Sequence, residues 1–363
     1  MRILQVITSL HIGGAEKLIV DMSPLYQKKG MQVDVLLFDG TETPLKQELQ
    51  ENGIQVFHLG IGGRVYNPFF ILKLIPFLRH YDIIHTHNTA CQYFTALAKC
   101  FSFSKVKLVT TEHSTTNRRR NITWFRIIDK FVYSQYNIII SISHAVTDML
   151  RQYSGYAYPI ETIPNGINIP LFQQAESLDR NTLKLAFHSC LVTMVAGFRE
   201  EKDQDTLIRA ISHLPASYKL CLVGDGVRRQ ICETLVKNLG LEDRVVFAGI
   251  RSDIPQILKA SDIIVVSSHW EGFGLVAVEG MAAGKPVIAS NVSGLADVVR
   301  EAGILFPQGD EKTLANIIER LMNDKSFYRQ TAEQCMQRAL EYDIQKTVDA
   351  YENVYKKTMH IIP

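Results

Sequence analysis

The chain of 363 residues is 46% apolar and 21% charged, which excludes a disordered chain and favours two domains with large cores. The overall net charge is +2, but residues 1–170 carry a positive net charge and the remaining residues a negative one. The first half could therefore bind an anionic partner, or the difference could be ordinary variation between two domains. No apolar run has the roughly 18 residues of a membrane span, and the N-terminus lacks a signal-peptide pattern. The six cysteines form no CxxC pair, so we expect free thiols in a cytoplasmic protein and no zinc site.

The chain opens with a strand, a glycine turn, a helix and a second strand. RILQVIT and MQVDVLLFD are apolar runs of strand length, and AEKLIVDMSPLYQKKG between them has helical periodicity. This βαβ pattern is typical of a parallel sheet, and it recurs as far as NIIISIS. Prolines and a glycine interrupt it in YPIETIPNGINIPLF, residues 158–172, where we place a domain boundary.

The alternation restarts at LVTMVAG and continues through the strands of YKLCLVGDG, VVFAG, DIIVVSS and PVIAS. From about Asp310 the chain is helical and charged, with no further strand expected. The sequence therefore predicts an α/β protein with two doubly wound Rossmann-like domains, residues 1–164 and 165–344.

Candidate binding residues follow the predicted strands. Ligands of open α/β sheets bind beyond the carboxyl ends of the strands, so such residues of both domains are expected to face one central cleft. In the first domain Gly14 follows the first strand and His113 follows KLVTTE. In the second domain the candidates are Gly197, Arg199, Lys202, Gly224, Gly249 and Glu271.

The glycine turns do not have the spacing of a dinucleotide-binding motif. Glycines in GGAEK could let backbone N–H groups approach a phosphate at a helix start. The full GxGxxG spacing and the acid expected for a ribose are both absent, and GDGVRR is incomplete. A nicotinamide oxidoreductase is thus the weakest of the interpretations that we considered.

Two cations lie just before a predicted helix in AGFREEKDQDTLIRA. Arg199 and Lys202 could clamp a diphosphate there, or they could belong to a solvated helix start whose acids complement the helix dipole. Asp203 and Asp205 match a D-x-D metal motif by letter. Because they lie in a first helical turn, we interpret them as complementing the dipole and not as metal ligands.

The stretch EGFGLVAVEGMAAG places two glutamates on either side of a glycine turn. A helix is expected from Leu275, so Glu279 lies about 6 Å along its axis, while Glu271 precedes the turn. Gly272 and Gly274 leave the N–H groups of the helix start open to an anion. A nucleotide-sugar, anionic in the middle with hydroxyls at both ends, fits this arrangement. A mere surface turn does not explain an acid within an apolar helix.

Histidines and a basic cluster complete the candidates. His85 and His87 in DIIHTHN are expected to be packing or strand-end residues, and a lone histidine such as His113 is more often structural. Residues 118–120 are arginines, followed by Trp124 and Phe125. They form a solvated loop or contact an anionic lipid head or an acceptor phosphate.

These motifs resemble those of the retaining glycosyltransferases of family 4, which have the GT-B fold of two Rossmann-like domains facing a central cleft. The resemblance extends over nearly the whole chain through GGAEK, DIIHTH, TEHS, IPNGIN, FREEKD, LVGDG and VVFAG. It is most specific in EGFGLVAVEGMAAGKPVIAS, which matches the Glu-x7-Glu signature of the family. It also implies that the last helix, about residues 345–363, crosses back to the first domain.

The resemblance implies a role for three residues near the reacting centre. Glu271 would contact the donor sugar, Lys202 would neutralise the leaving diphosphate, and His113 would touch the sugar from the first domain. Transfer would retain the anomeric configuration without a metal or other cofactor, and the leaving diphosphate would deprotonate the acceptor hydroxyl. The family usually has an arginine where this chain has Gly197, so either Arg199 supplies that charge from a shifted position or Lys202 acts alone.

The resemblance also implies a donor site. Glu279 would bind the ribose, Gly14 would line the diphosphate pocket, and the base would lie near Gly224 and Ile250. The N–H groups of Phe273, Gly274 and Leu275 would meet the diphosphate or the sugar.

The expected partners follow from the family. The donor is expected to be a nucleotide-diphosphate sugar, with UDP favoured by the habits of the family. The acceptor is expected to be a saccharide or lipid-linked saccharide of cell-surface glycan biosynthesis, with no nucleic-acid partner. The protein is expected in the cytoplasm, or peripherally at the inner face of the membrane.

Two further functions stay open. One is a sugar-nucleotide epimerase, which needs acid and base groups from both domains, with Glu112 as a candidate in the first. The other is a non-catalytic subunit that binds a sugar nucleotide.

Overall fold

The computed structural model describes residues 1–115, 122, 124–154, 158–183 and 189–360. They divide into two compact units, one of Met1–Gly166 with Ile344–Pro363 and one of Ile167–Asp343, which we call unit 1 and unit 2. The boundary between the two units falls after Gly166, within the proline-interrupted stretch. It lies two residues after the boundary expected from the sequence.

Unit 1 alternates strands and helices along the chain. Its elements before the change of unit are β1 (Arg2–Ile7), α1 (Gly14–Lys28), β2 (Gln32–Asp39), α2 (Pro44–Glu51), β3 (Val56–Gly60), α3 (Phe69–Leu74), β4 (Ile83–Thr86), α4 (Thr89–Ser102), β5 (Lys107–Glu112), α5 (Phe125–Ser134), β6 (Ile138–Ser141), α6 (His144–Ser154) and β7 (Ile160–Thr162).

The strands of unit 1 form one parallel sheet in the order β3-β2-β1-β4-β5-β6-β7. Because the chain winds outward in both directions from β1, the switch point of the sheet lies between β1 and β4. Helices cover both faces, so the strands are apolar on both sides; β1 has five buried residues in succession after Arg2.

Unit 2 has the same kind of alternation. Its elements are α7 (Ile169–Gln173), β8 (Cys190–Val195), α8 (Gln204–Ser212), β9 (Tyr218–Val223), α9 (Arg229–Asn238), β10 (Val245–Gly249), α10 (Ile254–Ala260), β11 (Ile263–Val266), α11 (Leu275–Ala282), β12 (Val287–Ser290), α12 (Leu295–Val299), β13 (Ile304–Phe306), α13 (Glu311–Asn323) and α14 (Lys325–Ala339).

The sheet of unit 2 is also parallel, in the order β10-β9-β8-β11-β12-β13, with its switch point between β8 and β11. Its core joins the strands to α8, α9 and α13 through residues such as Val192, Leu207 and Ile318, all fully buried. The predicted fold of two doubly wound α/β domains is confirmed.

The last helix, α15 (Ile344–His360), belongs to unit 1. Its buried face contributes Val348, Tyr351, Val354 and Tyr355 to the core cluster that contains Ile83 of β4. Gly166 makes this join possible, because a Cβ there would lie 2.5 Å from the Cα of Ile344. No helix among the described residues combines the length and apolarity that a membrane span needs.

Local sequence explains where the structure departs from the predicted elements. The segment NPFFILKLIPFLRHY does not form one continuous helix: it has α3 and then a 3-10 turn over Phe77–Arg79, separated at Pro76. The short helix α2 was not anticipated, although Thr43 caps it by accepting the Lys46 N–H and Pro44 begins it.

Candidate functional site

The residues proposed from the sequence are divided between the two units. Of the residues assigned to the donor site or the reacting centre, Gly14 and His113 lie in unit 1, and the others lie in unit 2. In unit 2 the loops that carry Lys202 and Glu271 follow β8 and β11. These strands are neighbours in the sheet, with Ile263 paired to Val192, so the two loops leave the sheet at its switch point.

Lys202 and Glu271 form an ion pair. The Nζ atom of Lys202 lies 2.8 Å from Oε1 and 2.7 Å from Oε2 of Glu271, and both side chains are 17% exposed. Because both charges are partly buried, each partly compensates the other for its lost contact with water. The sequence predicted both residues in one site, whereas their ion pair was not expected from it.

Asp203 shapes the loop behind Lys202. Its φ of 49° is in the left-handed region, and its carboxylate caps α8 by accepting the N–H and hydroxyl of Thr206. The hydroxyl of Ser267, just after β11, donates to the Asp203 carbonyl at 2.7 Å. These contacts anchor the Lys202 loop to the strand that leads to Glu271. Asp203 thus acts as a helix cap.

Asp205 is also engaged within unit 2. One carboxylate oxygen lies 2.6 Å from the guanidinium of Arg228. Among the described residues, no group of three or more His, Cys, Asp or Glu side chains is arranged to hold a metal ion.

The glycine turn after Glu271 is packed too tightly for larger residues. Gly274 has a φ of 93° and precedes the first residue of α11, and a Cβ on it would lie 2.5 Å from Leu295. Gly294, with a φ of 85°, faces the turn, where a Cβ would lie 2.4 Å from the Glu271 carbonyl oxygen. Gly294 was missed in the sequence analysis, although a glycine directly before an apolar helix was the available signal.

The start of α11 has the geometry expected from the sequence. The helix begins at Leu275, and the side chain of Phe273 is buried against Tyr342, with ring centroids 5.3 Å apart. The side chain of Phe273 therefore packs in the core, so only its backbone could contact a ligand. Gly274 provides no side-chain cap for the helix.

Glu279 lies one turn into α11. Leu275, Val276 and Glu279 are partly exposed, whereas Ala277, Val278 and Gly280 are buried. Residues four apart share a face of a helix, so Glu279 lies on the same face as Leu275, about 6 Å along the axis. Gly280 keeps the opposite face close to the sheet, since a Cβ there would lie 3.0 Å from Ile264.

Arg199 lies beside the glycine where the family pattern has arginine. A Cβ built on Gly197 would be 3.4 Å from the Arg199 Nε atom and 3.8 Å from Nη2. The Arg199 side chain is 61% exposed, and its Nε atom lies 3.3 Å from the Glu201 carboxylate. Arg199 thus brings a positive charge to the space that a side chain at residue 197 would enter.

Gly224 has a packing role that the sequence did not reveal. Its φ is 130°, and a Cβ would lie 2.1 Å from the Ala196 carbonyl oxygen. Its N–H donates to the Gly249 carbonyl at 2.8 Å. The loops after β8, β9 and β10 are held together at this glycine, and Ile250 beside them is 66% exposed.

In unit 1, Gly14 is the first residue of α1, and His113 follows β5. The Nε2 atom of His113 lies 3.2 Å from Nδ1 of His87, which is buried, as is His85. Burial lowers the pKa of His113 to about 4, against the opposing effect of Glu112. His113 is therefore neutral near pH 7 and is joined to the histidines that were expected to be packing residues.

Glu112 is engaged in the core of unit 1. It is 8% exposed, and its Oε1 atom accepts hydrogen bonds from Gln92 and Tyr133, each at 2.7 Å. A carboxylate held in this way is poorly suited to move protons on a sugar, which disfavours the epimerase role considered for it.

The basic cluster at residues 118–120 lies outside the described residues. Of the aromatic residues that follow it, Trp124 is 56% exposed and stacks on Phe125 with centroids 4.0 Å apart. Ile127 and Phe131, one and two turns further along the same side of α5, are 74% and 46% exposed.

Both halves of the chain match known glycosyltransferase domains. Residues 12–170 match the domain described as Glycosyltransferase Family 4, and residues 179–341 match the domain described as Glycosyl transferases group 1.

Characterised relatives and a solved structure agree with these matches. The chain is 28% identical over 286 residues to N-acetyl-alpha-D-glucosaminyl L-malate synthase of Bacillus anthracis, with 76% of this chain and 74% of the relative covered. It is 28% identical over 322 residues to the lipopolysaccharide core biosynthesis glycosyltransferase LpsD of Rhizobium meliloti, with 87% and 86% covered. The crystal structure of Anabaena Alr3699/HepE in complex with UDP-glucose superposes with a TM-score of 0.87 at 26% identity, covering 98% of this chain and 100% of that one.

The fold of each unit, the two domain matches and these relatives support one assignment. The chain is a glycosyltransferase of the GT-B type.

Proposed function

We propose that the protein is a retaining glycosyltransferase of family 4 that transfers a sugar from a nucleotide-diphosphate sugar without a metal or other cofactor. The observation that supports this proposal is the Lys202–Glu271 ion pair at the switch point of unit 2. Glu271 directly precedes the glycine turn that leads into α11. A cation, a carboxylate and open helix N–H groups are the groups that a sugar diphosphate requires.

The donor site is built around α11. The N–H groups of Phe273, Gly274 and Leu275 meet the diphosphate or sugar, and Glu279, one turn along the same face as Leu275, accepts hydrogen bonds from the ribose hydroxyls. Gly224 and Ile250, at the ends of β9 and β10, border the base. From unit 1, Gly14 lines the diphosphate pocket and His113 contacts the sugar.

Lys202 and Glu271 act at the bond that breaks. The ammonium of Lys202 neutralises the charge that develops on the leaving diphosphate, and Glu271 holds both this ammonium and the donor sugar. The leaving diphosphate removes the proton of the acceptor hydroxyl on the same face of the sugar, so the anomeric configuration is retained. The protein supplies charge and orientation.

Uridine diphosphate is the proposed nucleotide, because the solved relative Alr3699/HepE binds UDP-glucose. We expect one UDP-sugar, out of a panel of UDP-, GDP- and ADP-sugars, to raise the unfolding temperature and to release its nucleoside diphosphate slowly. Epimerisation of the donor without acceptor would instead support the epimerase. Stabilisation by a donor with neither hydrolysis nor transfer would support a non-catalytic subunit.

The ion pair predicts separate effects on stability and activity. Lys202→Met and Glu271→Gln should each lower transfer by about 10²–10³-fold, since each removes a charge that acts on the reacting centre. Each should also destabilise unit 2 by about 1–3 kcal/mol, because one partly buried charge loses its partner. The double variant should recover stability but not activity, as measured by urea unfolding and by donor turnover.

A second ion pair in unit 2 is a matched control. Arg180 and Asp262 are 2.9 Å apart with side chains 16% and 27% exposed, and Asp262 directly precedes β11 at the other end of the strand from Glu271. Asp262→Asn should reduce stability and leave transfer within about twofold. Near-wild-type turnover of Lys202→Met or of Glu271→Gln would rule out the assigned roles.

Arg199 is proposed to supply the charge that the family places at position 197. We expect Arg199→Ala to reduce donor turnover about tenfold or more, because a cation near the diphosphate is lost. Combining it with Gly197→Arg should restore much of the activity, since a Cβ at residue 197 makes no contact closer than 3.4 Å. Unchanged turnover of Arg199→Ala would instead mean that Lys202 acts alone.

The acceptor is proposed to be a saccharide or lipid-linked saccharide of the cell surface, reached in the cytoplasm at the membrane. The exposed apolar side chains of Trp124, Ile127 and Phe131, close in sequence to three arginines, support peripheral contact with anionic lipid. Anionic vesicles should carry the protein upward in a density gradient at low salt, and Ile127→Glu should weaken this. Failure to float at low salt would count against membrane contact.

A further inference from the structure

A chain of side-chain hydrogen bonds joins His113 to the last helix of unit 1. It begins at the end of β5, passes His87 after β4 and Gln5 in the middle of β1, and reaches Tyr355 on α15. Strand pairing places these groups side by side, since β4 lies between β1 and β5 in the sheet. None of these residues except His113 belongs to the proposed site.

The contacts are short and continuous. His87 lies 3.2 Å from His113 through Nδ1 and 2.7 Å from the Gln5 Oε1 atom through Nε2. The amide nitrogen of Gln5 donates to the Tyr355 hydroxyl at 3.1 Å.

A second branch continues from Tyr355. Its hydroxyl lies 2.7 Å from Nδ1 of His85, and Nε2 of the same ring lies 2.8 Å from the Thr111 hydroxyl. Thr111 in turn lies 3.2 Å from the hydroxyl of Tyr351, one turn before Tyr355 on α15. The helix thus closes the network at two places.

The network is buried and uncharged. Gln5 and His87 are 3% and 5% exposed, and Tyr355 and His85 are fully buried. Burial keeps the pKa values of His85 and His87 well below the ordinary value, with the neighbouring histidines adding to the effect. A neutral imidazole has one N–H donor and one acceptor nitrogen, so each bond determines the direction of the next.

The direction is set at Gln5. Its carbonyl oxygen can only accept, so the His87 proton is on Nε2 and its Nδ1 atom is an acceptor. His113 must then donate from Nε2, which leaves its Nδ1 atom as an acceptor. At the other end, the Gln5 amide donates to the Tyr355 hydroxyl, which lies 2.7 Å from Nδ1 of His85.

We infer that Gln5 and Tyr355 are positioning residues that hold His113 as the tautomer with its proton on Nε2, so that Nδ1 accepts a hydrogen bond from a hydroxyl of the donor sugar. The inference rests on the proposed contact of His113 with that sugar. It gives the last helix a role in substrate binding in addition to its role in the core. If the Gln5 amide were rotated by half a turn, all of these hydrogen bonds would reverse direction, and His113 would present an Nδ1–H donor to the sugar instead.

The tautomer can be measured without any substrate. In the 15N-histidine-labelled full chain, two-bond 1H–15N correlation spectra distinguish Nε2–H, Nδ1–H and doubly protonated rings, and His113→Asn identifies the His113 signals. We expect neutral His113 and His87 rings with protons on Nε2 at pH 7. A His113 ring protonated on Nδ1, or on both nitrogens, would overturn the inference.

Two substitutions test the link to Gln5 and Tyr355. Tyr355→Phe removes the group that orients the Gln5 amide, so the His113 signals should shift toward a mixture of tautomers. Gln5→Glu places a carboxylate beside His87, which should raise the pKa of that ring. Once charged, His87 should donate from Nδ1 and drive the His113 proton to its own Nδ1 atom. An unchanged His113 tautomer in both folded variants would overturn the inference.

Activity separates positioning from packing. For Tyr355→Phe we expect the KM for the donor to rise about three- to tenfold with little change in kcat, because the hydrogen bond from the donor-sugar hydroxyl to His113 is weakened; this change corresponds to about one hydrogen bond. Tyr136→Phe is the control, since Tyr136 is 5% exposed and bonds to Thr86 and Gln92 outside the network. Equal losses in both variants would mean that buried hydroxyls matter only for the fold.

The two proposals fail in different ways. If no sugar nucleotide is turned over, the proposed function fails while the spectra still report on the network. If transfer proceeds and the His113 tautomer does not depend on Gln5 or Tyr355, the network inference fails alone.

Discussion

Parallel strand pairing is the constraint on which the rest of the structure depends. Because all strands of a parallel sheet end at the same edge, residues far apart in the chain are delivered to one place when they follow neighbouring strands. Lys202 and Glu271 follow β8 and β11, and His87 and His113 follow β4 and β5. Each unit therefore gathers its polar groups at the carboxyl ends of its central strands, with apolar strands buried beneath them.

Close approach of backbone segments then sets the shape of these edges. Gly224 packs against the Ala196 carbonyl, and Gly294 packs against the Glu271 carbonyl. In both cases a Cβ atom on the glycine would overlap the carbonyl oxygen. These glycines hold loops from different strands in contact, so the position of the Glu271 turn depends on Gly294, which lies beyond α11 and β12 in the chain. Replacing either glycine by a larger residue is therefore expected to reduce the stability of the fold first, and ligand binding only as a consequence.

The two units keep polar groups away from water in different ways. Unit 2 pairs opposite charges, so that Lys202 and Glu271 compensate each other. Unit 1 uses neutral histidines, a glutamine and tyrosines, whose hydrogen bonds run from His113 to α15. A charged pair creates a local electrostatic field, whereas a chain of neutral groups fixes the direction of its hydrogen bonds, because each donor determines the next.

The sequence by itself determined the fold class and the place of the candidate site. Apolar periodicity is local, so strand and helix order could be predicted, and the glycine turn with Glu279 behind it located α11 correctly. Only the tertiary structure decided which side chains meet. Lys202 and Glu271 are 69 positions apart and Gln5 and Tyr355 are 350 apart, and their pairing depends on strand order and on the return of the last helix, which no local pattern encodes. The position of Arg199 beside Gly197 likewise depends on the path of the folded loop and not on the spacing of the letters.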